Sequence, residues 1–177
     1  MRKTEKKQYS IVLLLVIFAV LIGLIIPSHR LKLNVSYPHE NTTLTEQDFL
    51  IETNNGTLQI GCSSFDEVIA LLPEGKILGM STIYKPDNLD CLFTFTEDED
   101  ILHRIHINTP ALSTSRGIKV GEPFARAIKI YGSNYAKVNL LNESDDFDAV
   151  YGTDDNIIFQ VRKNNITKII IEKSMST

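Results

Sequence analysis

The tightest constraint on this fold is that the chain writes one pattern twice. "LQIGCSSFDEVIALLP" (residues 58–73) and "GIKVGEPFARAIKIYG" (residues 117–132) superpose when Gly61 is set on Gly121, with one extra residue after Cys62. Phe65, Val68, Ile69 and Leu72 then match Phe124, Ala127, Ile128 and Tyr131. Both sets follow the spacing i, i+3, i+4, i+7, which gathers four apolar side chains on one helical face. Ser64 and Glu67 form a capping box at the first helix start. Pro123 suits the entry to the second, where a missing N–H costs nothing. Pro73 and Gly132 end the two helices.

The parallel continues downstream. "CLFTFTEDEDILHRIHI" (91–107) and "IIFQVRKNNITKIIIE" (157–172) both read as strand, tight turn, strand. Phe93 and Phe95 match Phe159 and Val161, while Ile105 and Ile107 match Ile169 and Ile171. A further strand is expected before each hairpin, at 77–84 and 136–141. Each repeat (57–110 and 116–173) thus predicts helix–strand–strand–strand. Together they predict an α+β fold in which one antiparallel sheet carries both helices on one face.

Period-two alternation then divides the strands. Ile101, His103, Ile105 and Ile107 share one face with Ile169 and Ile171 beneath the helices, and Leu102 shares the other with Arg104 and His106. The face left bare is expected to present Leu92, Thr94, Arg104, His106, Ile158, Gln160, Lys168 and Ile170. Such a mixture of apolar, polar and basic positions suits a non-obligate protein interface. It equally suits an ordinary solvated sheet.

The chain's start belongs to another class. Arg2, Lys3, Lys6 and Lys7 lie in a basic tail (1–8), followed by eighteen uncharged residues, "YSIVLLLVIFAVLIGLII" (9–26). A helix of that length spans about 27 Å, close to the hydrocarbon core of a bilayer. A cleaved signal peptide would have a shorter apolar run and a small-residue cleavage site, neither of which is present. The expectation is a single-pass cell-membrane anchor with a cytoplasmic N-terminus, a polar stalk (27–47) and an extracytoplasmic domain (48–177). Beyond residue 26 the chain holds 14 Lys+Arg against 21 Asp+Glu, a net of −7. That balance is unfavourable for nucleic acid.

Few residues suggest chemistry. Cys62 and Cys91, both expected outside the membrane, read as a disulfide pair, with two buried thiols or a catalytic thiol as the alternatives. His103 and His106 flank the acidic turn 97–100, but residues three apart in a strand face opposite ways, so no metal site is expected. "NESDDFDAVYGTDDN" (142–156) lacks the alternating ligands and closing Glu of a calcium loop and reads as a solvated loop. Phosphate-binding loops, nucleophile elbows and zinc motifs are missing from the sequence. Catalytic, cofactor-binding and metal-ligating residues are therefore all expected to be absent.

The tandem of helix and antiparallel strands, each copy opening on a Gly before its helix, resembles the β-lactamase inhibitor protein architecture. It is similar also to the small lipoprotein of the outer-membrane β-barrel assembly machinery. "TSRGIKVGEPFARAIKIYG" (114–132) further resembles a motif of uncharacterised Gram-positive surface proteins. The resemblance implies a non-catalytic protein that presents a sheet face or loops to another protein, and no loop here matches an inhibitory loop residue by residue. The resulting expectation is a membrane-anchored extracytoplasmic binding module for a protein or envelope polymer. The alternatives are a thiol-dependent or hydrolytic envelope enzyme and a structural subunit of a membrane complex.

Overall fold

The computed structural model describes residues 34–79, 82–98, 100–139 and 146–174. In chain order the strands and helices are β1 (Asn34–Ser36), β2 (Leu50–Thr53), β3 (Gly56–Gln59), α1 (Phe65–Leu71), β4 (Gly75–Ile77) and β5 (Ile83–Pro86). They continue with β6 (Cys91–Phe95), β7 (Leu102–Ile107), α2 (Phe124–Tyr131), β8 (Ala136–Asn139), β9 (Phe147–Tyr151), β10 (Asn156–Arg162) and β11 (Asn165–Glu172). A 3-10 turn (Glu46–Phe49) leads into β2. Nine strands form one sheet in the order β1-β8-β9-β10-β11-β7-β6-β5-β4, every pair antiparallel, and β2–β3 is a separate hairpin.

The expected α+β class is corrected by this count. Nine strands roughly 4.8 Å apart span about 38 Å. The two helices found among the described residues have seven and eight residues. At about 1.5 Å per residue neither exceeds about 12 Å. Elements so short cannot form a layer over such a sheet, so the architecture is a large antiparallel sheet with two short helices packed on it. Each helix is also followed by four strands rather than three. The span 77–84 is divided between β4 and β5. The acidic segment expected as a solvated loop contains β9, where Phe147, Ala149 and Tyr151 alternate inward between Asp148 and Val150.

The two α–β–β–β–β units meet at β7 and β11. There Ile105 faces Ile171, His106 faces Ile170, and Ile107 faces Ile169. Because Ile105 corresponds to Ile169 and Ile107 to Ile171, a local two-fold axis passes through the His106–Ile170 pair. The correspondence reaches the backbone. Gly61 N–H donates to Leu102 C=O, and Gly121 N–H to Ile166 C=O. Phe65 N–H donates to Asp100 C=O, as Phe124 N–H does to Asn164 C=O. Gly61 and Gly121 hold φ of 89° and 91°, the left-handed region that a residue with a Cβ enters only with strain.

Both hairpins also carry a β-bulge at the same repeat position. Thr94 pairs with Arg104 but Phe95 with Leu102; Gln160 pairs with Lys168 but Val161 with Ile166. His103 and Thr167 are therefore the extra residues. The bulge corrects the face assignment at the start of β7. Leu102, expected outward, is fully buried, and His103, expected inward, is half-exposed. Ile105, Ile107, Ile169 and Ile171 are all fully buried.

The core lies between this inner face and the helices. Phe65 of α1 meets Phe95 edge-on at 5.1 Å between ring centroids, and Tyr84 at 6.1 Å. Phe124 of α2 meets Phe147 and Tyr135, each at 5.3 Å, and Tyr131 packs at 5.5 Å from Phe159. Edge-to-face pairs of this kind add about 0.5–1.5 kcal/mol each beyond the area they bury.

Three further expectations are corrected here. Residues 34–47, read as a stalk, are tied into the domain. β1 pairs with β8, Asn41 Nδ2 donates to Gly152 C=O at 2.7 Å, and Thr42 Oγ1 donates to Asn134 C=O at 2.8 Å. Asn41 and Thr42, polar residues without periodicity, find their partners in backbone carbonyls far along the chain.

The expected single-pass membrane localisation is corrected too. Among the described residues no helix is long and apolar enough to cross a membrane. The expected anchor itself, residues 9–26, lies outside the described residues.

The Cys62–Cys91 disulfide is not formed, and both thiols are free. Gly61, beside Cys62, bonds Leu102 at one end of the β6–β7 ladder, whereas Cys91 pairs with Ile107 at the other. That is roughly 15 Å along the strand, against the ~7 Å that limits a disulfide. Cys62 is exposed and Cys91 is fully buried, its thiol pushed up to about 12 by burial and then by Asp90, with Lys85 opposing. Native protein should accordingly take one maleimide at Cys62 and a second only on unfolding. Two equivalents reacting together in the native state would contradict this placement.

Candidate functional site

The outward positions of the sheet fall into rows set by strand register. One row runs Leu92–His106–Ile170–Ile158–Val150 across β6, β7, β11, β10 and β9. The row beside it runs Thr94–Arg104–Glu172–Asn156, and the row on the other side Lys168–Gln160–Asp148. All eight residues proposed from alternation thus lie on one face, and each retains partial exposure. They are four repeat-related pairs about the local axis: Leu92 with Ile158, Thr94 with Gln160, Arg104 with Lys168, His106 with Ile170.

The result is an apolar stripe bordered by charge on both sides. Arg104 Nε lies 2.6 Å from Glu172 Oε2, and Gln160 Nε2 donates to Asp148 Oδ2 at 3.3 Å. At the centre, burial holds His106 below the usual imidazole value. Lys168 and then Arg104 push it the same way, and Glu172 opposes. That direction favours the neutral ring, the form an apolar stripe accommodates. Sequence reasoning missed Glu172, Asn156, Asp148 and Val150. The first two sit at strand ends, and the others belong to β9, whose alternation was concealed by its neighbouring carboxylates.

A second concave region, about 700 Å³, is lined by Asn41, Thr43, Glu46, Asp154, Asp155 and Lys173 among others. Asn41, Glu46, Asp155 and Lys173 already serve the fold. Lys173 Nζ sits 2.6 Å from Glu46 Oε2 and 5.2 Å from the centre of the Phe49 ring, and Ser174 N–H donates to Asp155 Oδ1.

The 114–117 segment of the motif quoted above also proves structural. Arg116 Nε and Nη2 donate to Asp48 Oδ1 and Oδ2 at 2.6 and 2.8 Å, and the guanidinium lies 4.6 Å from the Tyr131 ring centre. Thr114, 1% exposed, accepts from Ile118 N–H through its hydroxyl. Asp48 is 1% exposed. Burial pushes its carboxyl pKa up, but hydrogen bonds from Arg116 and the Thr45 backbone, with the Arg116 charge, bring it below its ordinary value. Arg116, within a segment that looked like a signature, therefore pins the 3-10 turn to α2.

No family model, curated protein or solved structure matches this chain. The site is therefore read from its own geometry. Among the described residues no group of three or more His, Cys, Asp or Glu side chains could hold a metal ion.

Proposed function

We propose that this chain is a non-catalytic binding module that recognises a protein partner on the open sheet face. The observation that carries this is the apolar stripe Leu92–His106–Ile170–Ile158–Val150 between two polar rows. An apolar centre with a polar, charged rim is the usual anatomy of a protein–protein interface.

A photo-crosslinking residue placed at Gln160 identifies the partner, and variants then measure the contact. Ile170→Asp or His106→Ala should weaken binding about tenfold to a hundredfold, as central interface residues do. The thermal midpoint should stay close to that of the parent. Unchanged affinity in both variants would move the working surface to the loops.

One observation favours a second reading, a thiol-dependent enzyme: Cys62 is free and exposed. Cys62→Ser separates the two, since it should leave the binding module intact and would silence a thiol-dependent activity.

A further inference from the structure

A groove of about 430 Å³ lies where the β2–β3 turn, the end of α1 and the start of the β4–β5 ladder meet. It shares no lining residue with the open face. Its apolar wall includes Leu71, Leu72, Pro73 and Leu89. Its charged lining residues are Glu52 and Glu74, both exposed, and no Lys, Arg or His lines it. Among the described residues neither carboxylate pairs with a cation; Glu74 accepts only a neutral amide hydrogen from Asn88, at 2.6 Å. An apolar concavity with two uncompensated carboxylates complements a ligand that is apolar and cationic together.

The groove ends beside the sheet's edge, at Glu74, the residue before β4. Pro86, part of its lining, faces Gly75 in the β4–β5 ladder, and β4 is the terminal strand on that side, with all three residues exposed. An edge strand offers backbone groups to an extended peptide, and adjacent pockets then select its side chains. We propose that this groove binds an extended peptide segment of a partner protein in which a Lys or Arg neighbours an apolar side chain. The cation sits between Glu52 and Glu74, and the apolar side chain lies against Leu71, Leu72 and Leu89.

The probe is a fluorescein-labelled hexapeptide alternating leucine and arginine, titrated with the full chain and read by polarisation. Its counterpart alternates leucine and glutamate. The arginine peptide should bind and the glutamate peptide should not. Glu52→Lys with Glu74→Lys should weaken the arginine peptide about tenfold or more, since exposed carboxylate–cation pairs are individually modest. Raising salt from about 0.05 to 0.5 M should weaken it too. Both substitutions are on exposed side chains, so an unchanged circular dichroism spectrum and melting curve confirm that the variant folds. Ile170→Asp should leave peptide binding untouched, which separates this site from the open face.

Equal binding of the two peptides, or full affinity in the charge-reversed variant, would overturn the proposal. Displacement of the peptide by n-hexylamine at equal concentration would overturn it in favour of a small apolar amine. A dimer in sedimentation that the two reversals abolish would overturn it in favour of a second copy of this chain.

Discussion

Ile169→Asp is expected to leave no folded protein, whereas Ile170→Asp, the next residue along β11, should fold and melt close to the parent. Ile169 is fully buried on the seam between the two repeats, facing Ile107 on β7 and Phe159 on β10. A carboxylate there has no cation opposite it, and burying an unpaired charge costs several kcal/mol even after relaxation. Single domains are stable by only about 5–15 kcal/mol, so the substitution removes most or all of the margin. Ile170 points the other way and keeps partial exposure beside His106, with Arg104 and Lys168 on the same face. Its replacement should cost about 1 kcal/mol or less, within the range of substitutions that water can solvate. Circular dichroism and urea titration of the two variants suffice. Equal loss in both would mean that the outer face is covered in solution, and the open-face reading would fall with it.

The doubled architecture was readable because its signals are local. Gly61 and Gly121 mark left-handed turns, Phe65 and Phe124 begin matched apolar faces, and the paired isoleucines of β7 and β11 alternate cleanly. What sequence misjudged was proportion. Two clear helix patterns suggested an α+β layer, yet each pattern lasts two turns, while β4 and β9 carry weak or disguised signals. Ile77 of β4 is exposed on an edge and gives no alternation. β9 is flanked by carboxylates, and charge near a strand says nothing of the side chains that alternate within it.

The site was readable only as far as period two holds. A one-residue bulge at His103 reverses the faces of everything before it, so Leu102 and His103 were exchanged while Arg104, His106 and the isoleucines kept their places. The second bulge, at Thr167, sits where its repeat partner does. A bulge leaves no mark in hydrophobic pattern unless both copies are compared. The cysteines show the opposite failure. Two thiols in one repeat suggested a bridge, but their positions at opposite ends of a hairpin are a matter of register, which spacing along the chain does not encode.

One contact that the sequence did not foresee joins residues 68 apart, Asp48 and Arg116. Arg116→Ala should destabilise the domain by about 3 kcal/mol. The substitution strands a buried carboxylate, and breaking such a pair from one side typically costs about 3–5 kcal/mol. The lower end applies because the Arg116 side chain is 32% exposed, against 2% for Asp48. Asp48→Ala should cost a comparable amount, with the loss of the reciprocal bonds to Thr45 added. The pair Asp48→Leu with Arg116→Met should recover much of the loss, since neither charge is then left unpaired. Acid supplies an independent check. The Asp48 carboxyl titrates below its unfolded value, so its contribution is present above about pH 4 and disappears as pH falls through the lower, folded value. The stability difference between parent and Asp48→Asn, measured by urea titration, should therefore shrink as pH falls below about 4. A difference that stays constant or grows across that window would show that Asp48 is not held ionised by Arg116, and the 3-10 turn would need another anchor.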